Sequence, residues 1–413
     1  VPTVASYDRW MPDLRRHLVP MVGRDPGEEH RASTPLELLF DLSFVVAISV
    51  SAGELHHEVA AGHLHDGLVG YLTTFFAIWW AWMNFTWFSS SFDTDDVAYR
   101  LLTFVQITGV LVLAVGIPDA YEGDFALATV GYVIMRLAMV TFWLRAARAS
   151  EGRHTAATRY AIGIAVVQVF WVARLFVLED HGLATFLVLV LAELAVPAIA
   201  EPDARETAWH PEHIAERYGL FTIIVIGESI LAATGAIRTA LDGGFSTELL
   251  TIAAGGLVLV FGLWWLYFER SAHEGLTEIG RGAFLWGYGH YVLFAALAAL
   301  GAGIGVAAEV PGEHGLAISP VGQALAVGIP AGIALATMAL LQAFLHHEAP
   351  ARTLRLLAAA LAIVVLGAIA EIPLGVDVAL MGLVMAVTVA VDVVILAAPS
   401  PAPGPDGEAP QPV

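Results

Sequence analysis

Apolar stretches recur along the whole chain, separated by short segments that collect arginine, glycine, proline and acidic residues. Each is close to the twenty or so residues that carry a helix across a bilayer core of roughly 30 Å. The pattern predicts spans at 36–53, 67–90, 97–117, 124–146, 159–178 and 183–200. It continues with 217–237, 248–268, 283–306, 320–345, 354–371 and 373–398. Most are too long and too uniformly apolar for barrel strands, so an all-α polytopic bundle is the spanning solution left. The last two are separated only by Glu371-Ile372-Pro373 and are the least distinct, which leaves ten or eleven spans open beside twelve.

Within this pattern the first half of the chain echoes the second. Glu37-Leu-Leu-Phe40 opens span one as Glu216-Arg-Tyr-Gly-Leu-Phe221 opens span seven. Phe76-Ala-Ile-Trp79-Trp80 in span two is matched by Phe261-Gly-Leu-Trp264-Trp265 in span eight. The offsets from Glu37 to Glu216 and from Trp79 to Trp264 are nearly the same, and spans six and twelve each carry one acid, Glu193 and Asp392. The expected organisation is an N-terminal segment 1–33, a six-helix repeat 34–201, a second repeat 202–398 and a disordered tail 399–413 rich in proline and glycine. Six helices per unit is an even number, so the repeats are parallel, a layout used by secondary transporters.

Composition strengthens the membrane reading: 58% of residues are hydrophobic and 14% charged, with a mean hydropathy of +0.72. The net charge of −20 leaves no basic stripe for phosphates, which excludes nucleic acid as a partner. Cysteine is absent, removing disulfides, thiolate metal sites and a cysteine nucleophile. The polar, arginine-dotted start does not read as a signal peptide. Arginine placement sets the expected orientation. Arg9, Arg15, Arg16, Arg24 and Arg31 share one side with Arg145, Arg148, Arg270, Arg352 and Arg355, while Arg238 is the clear exception. Both termini are therefore expected in the cytoplasm, in a bacterial cytoplasmic membrane.

Ionisable residues inside spans cost about 2.5–3.5 kcal/mol on insertion scales, so they mark a function or a buried pair. At about 1.5 Å of rise per residue, Arg136, Glu193, Glu228 and Asp392 fall near mid-membrane. They could form a substrate or proton-coupling site, with Glu228 as the exchanging carboxylate and Arg136 its partner or an anchor for a substrate carboxylate. They could equally be structural ion pairs. A second group gathers toward the arginine-rich side: Glu37, Asp41, Asn84, Arg100, His213, Glu216, Arg217, Glu269 and His290. Glu37 and Asp41 share a helical face, as do His213 and Glu216. Such a convergence suits anion binding, proton exchange or a carboxylate metal site. However, Thr34-Pro35-Leu36-Glu37 also reads as a plain capping box.

Histidines crowd the first external loop at His56, His57, His63 and His65, a weak candidate metal site without tight ligand spacing. Trp79 and Trp264 are candidates for ligand stacking, although packing and interfacial anchoring also use tryptophan. No phosphate loop, nucleophile elbow or dinucleotide fingerprint occurs, and the cofactor question stays open. Gly301-Ala-Gly303-Ile-Gly305 lies inside a span and predicts close helix packing.

Several of these stretches together resemble the bacterial low temperature requirement protein A family. They are Thr34 to Val45, Phe92-Asp-Thr-Asp-Asp96 followed by Arg100, Tyr132-Val-Ile-Met-Arg136, and above all His213 to Ser229. Ser43 and Tyr218 are mild variants. The resemblance runs from Arg31 to about His290, with the final third alike only in being hydrophobic. It implies a multi-pass inner-membrane protein and includes Glu37, Asp41, Arg100, Arg136, His213, Glu216, Arg217 and Glu228 in the family's motifs. It supplies no established activity.

The reading that joins these observations is a secondary transporter or ion-coupled permease, with the bilayer and a small molecule or ion as partners. A membrane enzyme acting on a lipid or isoprenoid, and a sensor of membrane state, remain open alternatives.

Overall fold

The structure is a computed structural model that describes residues 19–25, 28, 31–149, 154–177, 182–201, 209–242, 246–280, 282–309, 316–346 and 350–396. The tail expected to be disordered and residues 1–18 lie outside them. Seven helices make the first half: α1 (Pro35–Ala60), α2 (Leu64–Phe92), α3 (Val97–Val115), α4 (Ile117–Tyr121), α5 (Ala126–Ala149), α6 (His154–Val177) and α7 (Gly182–Ala200). Seven make the second: α8 (Pro211–Asp242), α9 (Thr247–Phe268), α10 (Ala272–Ile279), α11 (Gly282–Ala308), α12 (Pro320–His346), α13 (Pro350–Gly367) and α14 (Leu374–Leu396). No strand forms among the described residues.

Local chemistry explains the boundaries. Thr34 and Glu37 close a reciprocal capping box on α1, with Pro35 in the first turn. Asp96 accepts the Tyr99 amide at 2.7 Å to start α3, and Ser246 does the same for Leu249 at 3.3 Å to start α9. Ahead of α3, Asp95 takes a left-handed φ of 43°, which a short polar side chain tolerates.

Eleven of these helices are long and apolar enough to cross a membrane. The sequence had suggested about twelve, with ten or eleven left open. The difference is α2, whose 29 residues suffice in length but whose tryptophans, threonines and serines make it less apolar. Burial accounts for that composition: α2 runs through the interior, where Trp79, Trp80 and Trp82 are all but inaccessible. Elsewhere the outward faces stay apolar, as Leu101, Phe104 and Val105 on α3 and Val169, Phe170 and Phe176 on α6 illustrate. Only a lipid environment accommodates such a perimeter. The protein is a polytopic α-helical membrane bundle.

Two boundaries differ from the sequence reading. Helix α8 begins at Pro211, so His213, Glu216 and Arg217 occupy its first two turns and not a loop at the membrane surface. The short helices α4 and α10 were not anticipated; Gly116 and Pro118 separate α4 from α3.

Close approach depends on glycine at a few places. A side chain on Gly131 of α5 would overlap the α3 backbone at Leu113, and one on Gly303 of α11 would overlap the Ala326 carbonyl of α12. The expectation of tight packing at Gly301–Gly305 is met there. In the first half α1 packs on α2 and α3, α3 on α5, α5 on α6, and α6 on α7. In the second, α8 packs on α9 and α11, α11 on α12, α12 on α13, and α13 on α14. The halves meet where α1 and α2 contact α8 and α11.

Candidate functional site

The largest buried charge cluster lies on this seam, near the end of the bundle where α1 and α8 begin. Glu37 and Asp41 project from consecutive turns of α1, and His213 and Arg217 from consecutive turns of α8, because residues four apart share a face. Arg217 forks onto Asp41, Nε to Oδ2 at 2.8 Å and a terminal nitrogen to Oδ1 at 2.6 Å. Its other terminal nitrogen lies 3.0 Å from Glu37 Oε1 and donates to Ser89 Oγ at 3.2 Å. Trp82 Nε1 donates to Asp41 Oδ1 at 2.7 Å. His213 Nε2 approaches Glu37 Oε1 to 3.0 Å, but the approach is not aligned as a hydrogen bond, and His213 Nδ1 has no hydrogen-bond partner among the described residues. Arg31, itself buried, adjoins the cluster and donates to the backbone carbonyls of Ser89 and Ser90. Burial lowers the Arg31 guanidinium from its ordinary value, with Glu37 pulling the other way. Bidentate pairs of this kind fix geometry as well as charge, so the cluster holds the two halves in register at this end.

A second cluster is confined to the first half, at mid-depth. Glu193 of α7 accepts Arg136 at 2.7 Å, Tyr132 at 2.8 Å, Gln168 at 2.9 Å and Trp80 at 3.0 Å. Those donors come from α5, α6 and α2, and the carboxylate is fully buried. Arg136 was expected either as the partner of Glu228 or a substrate anchor, or in an ion pair with one carboxylate. The structure pairs it with Glu193 and not Glu228, because α5 packs on α3 and α6, and α8 packs elsewhere.

A third cluster belongs to the second half. Arg352 donates to Asp392 at 2.8 Å, to Gln342 at 2.7 Å and to Glu269 at 3.0 Å, and Arg355 reaches Asp392 at 2.9 Å. Asp392 is four residues from the end of α14 and its partners start α13. It therefore sits near the arginine-rich end, not at the mid-depth expected for it. Glu269, just past α9, has its carboxyl raised from the ordinary value by burial and by Asp392, while Arg352 opposes the shift.

Glu228 stands apart from all three. It is half-buried in the interior turns of α8, and its Oε2 is enclosed without a hydrogen-bond partner among the described residues. The next residue, Ser229, donates to the Leu297 carbonyl at 3.1 Å, close to the middle of α11. Glu228 therefore lies at mid-depth.

Other candidates resolve individually. Glu216 parts from His213 and Arg217: its carboxylate accepts the Ser33 amide at 2.9 Å. It also borders a cleft of about 340 Å³ between α8, α9, α11 and α12. Buried His290 lines the same cleft, held by the Trp286 carbonyl at 2.8 Å and the Tyr267 hydroxyl at 3.2 Å. Asn84 donates to the Trp80 carbonyl within its own helix. Arg100 is exposed and forks onto Asp95 at 2.8 Å, which lowers the Asp95 carboxyl. Trp79 is packed among aromatic side chains including Tyr288 and Tyr291, whereas Trp264 faces outward, 42% exposed. Their matching sequence positions do not share an environment, and they form no joint stacking site.

The histidines expected in a loop lie on helices, His56 and His57 near the end of α1, His63 at the N-cap of α2 and His65 in its first turn, and they do not converge. His56 pairs with Glu309 at 2.7 Å and His63 with Glu58 at 3.1 Å. Among the described residues no group of three or more potential ligands could hold a metal ion.

Comparison with known proteins supplies the family. The profile for bacterial low temperature requirement A protein (LtrA) matches residues 32–395. The chain belongs to the LtrA family. The match reaches through α13 and nearly all of α14, so the family likeness extends beyond His290 into the final third, which the sequence had suggested was alike only in hydrophobicity. An uncharacterised protein of Rhizobium meliloti (strain 1021) is 26% identical over 278 residues, covering 64% of this chain. The matched part spans 66% of that relative, just under two thirds of its length.

Within this LtrA-family fold the sequence missed Tyr132, Trp80, Gln168, Thr86, Ser89 and Gln342 as members of charge clusters. Each is a neutral donor or acceptor on an apolar helix. The available signal is the cost of burying a polar side chain without a partner, which makes Gln168 and Gln342 in apolar spans worth noting.

Proposed function

We propose that this LtrA-family protein is an ion-coupled secondary transporter of the bacterial cytoplasmic membrane, with Glu228 as the carboxylate that binds and releases the coupling ion. The observation that carries the proposal is the contrast in partners. Glu193, Asp41 and Asp392 are each held by arginine, whereas Glu228 at mid-depth has an enclosed oxygen with no donor among the described residues. An unpaired intramembrane carboxylate is costly, and it takes its compensation from a proton, a cation or a bound solute.

The packing of α1 on α2 and α3, α3 on α5, α5 on α6 and α6 on α7 is echoed from α8 to α14, apart from an α9–α14 contact with no counterpart in the first half. It supports two six-helix units, 34–201 and 202–398, that rock against one another. In this reading the Glu37–Asp41–His213–Arg217 cluster is the gate that joins the units at the cytoplasmic end. The arginine bias toward the end where α1 begins supports cytoplasmic termini.

The test is purified protein in proteoliposomes, with charge displacement recorded on a solid-supported membrane against a panel of amino acids, organic acids and inorganic ions. At least one solute is expected to evoke a current that follows the imposed ion gradient and is lost in Glu228→Gln. Silence across the panel, or an undiminished current in Glu228→Gln, would overturn the proposal.

A further inference from the structure

Arg174, near the end of α6, is a buried charge that the three clusters leave out. Arg136, Arg217 and Arg352 are each met by a carboxylate. Arg174 is 7% exposed, and no carboxylate pairs with it among the described residues. Its partners are neutral: Nε donates to Thr185 Oγ1 at 3.3 Å and a terminal nitrogen to the Gly182 carbonyl at 3.0 Å. Its guanidinium carbon lies 4.7 Å from the centre of the Phe125 ring and 5.9 Å from that of Phe186. A guanidinium carries five N–H donors. These contacts therefore hold the group in place without neutralising it or occupying all its donors.

Arg174 also lines a cavity of about 40 Å³ bounded by helices α2 to α7. The cavity lies toward the end of the bundle opposite the Arg217 cluster, where α3 and α6 finish and α5 begins. Among the described residues no acid lines it. Glu193, which accepts the hydroxyl of the lining residue Tyr132 at 2.8 Å, is already held by Arg136. Asp124, just ahead of α5, accepts the Ala126 amide at 2.9 Å. Glu179 and Asp180 follow α6 and lie outside the described residues. What the lining adds is donors: the Thr129 hydroxyl, and Trp171, whose buried indole nitrogen has no hydrogen-bond partner among the described residues.

A charge buried at membrane depth is costly unless an opposite charge meets it. The cavity exceeds the about 10–15 Å³ that one water needs, and its size limits an occupant to an ion little larger than water. We infer that this cavity binds one small inorganic anion of halide size beside the Arg174 guanidinium. The site is separate from Glu228 and does not depend on the transport reading.

The test is line broadening in chloride NMR on the full chain in detergent, with sodium chloride as the probe and sodium bromide as the competitor in a gluconate background. Wild type, Arg174→Gln, Ala77→Val and Arg100→Gln are compared, with the thermal midpoint of each measured alongside. Wild type is expected to broaden the chloride line in a saturable way that bromide removes. Arg174→Gln should weaken chloride binding by about tenfold or more. Ala77→Val, which fills part of the cavity from α2 and leaves the arginine in place, should weaken it by about threefold or more. Arg100→Gln, at an exposed arginine paired with Asp95, should bind as wild type does. Three results would overturn the assignment. They are no saturable broadening by wild type, as when Glu179 or Asp180 already neutralises Arg174; undiminished binding by folded Arg174→Gln or Ala77→Val; and an equal loss in Arg100→Gln.

Discussion

Glu193 in the first half and Glu228 in the second are both glutamates in the interior turns of apolar helices, and the bundle surrounds them differently. Glu193 receives four donors from three other helices, one of them a guanidinium. Glu228 receives none at its enclosed oxygen among the described residues. The effective cost of burying an ion is several kcal/mol, while a hydrogen bond to a charged group contributes about 1.5–3 kcal/mol. Four such bonds are of the right size to offset burial at Glu193; nothing comparable is present at Glu228. Depth alone made the two look alike; their partners make Glu193 part of a closed network and leave Glu228 as the carboxylate proposed above for exchange.

The comparison can be broken most severely at the lock's cation. Arg136→Met leaves Glu193 without its guanidinium in a fully buried position, and such a loss typically costs about 3–5 kcal/mol. The expected outcome is a large fall in the thermal midpoint of the detergent-solubilised protein, with partial loss of monodisperse material by size exclusion. A midpoint like that of wild type would show that Glu193 does not need its cation.

A smaller change sharpens the same point. Tyr132→Phe removes one of the four donors to Glu193 and leaves the ring packed against Trp171. Losing one hydrogen bond to a charged acceptor should cost about 1.5–3 kcal/mol, measured as a moderate midpoint shift with the protein still monodisperse. A Tyr132→Phe loss as large as that of Arg136→Met would mean that the network behaves as one unit and not as separable donors.

How much of this could be read from the chain depends on the range of the interaction. The capping box of Thr34 and Glu37 and the shared face of Glu37 and Asp41 are local, and both are present. The grouping of His213 with Glu216 was a local inference that the bundle divided. His213 and Arg217, four apart, turn to α1, and Glu216, on an adjacent face, turns to Ser33 and the cleft. Partner choice is non-local. Arg136 and Glu193 are 57 residues apart, and Arg217 and Asp41 are 176 apart. Helical periodicity constrains neither pairing; only the packing order of the helices does. The same limit applies to α2, where the tryptophans that reduce its membrane character are the residues that fill the interior. It applies also to Trp79 and Trp264, which align in sequence but differ in exposure.

The central claim is that partners, not depth, assign the roles of the two glutamates. Its most direct test is the thermal unfolding of Glu193→Gln and Glu228→Gln in the same detergent, since each substitution removes a carboxylate while preserving shape. The account predicts that Glu193→Gln, which leaves Arg136 buried without its anion, lowers the midpoint sharply. It predicts that Glu228→Gln stays within a degree or two of wild type, or above it. Equal losses in both variants, or a greater loss in Glu228→Gln, would contradict the division and return Glu228 to the class of structural charges.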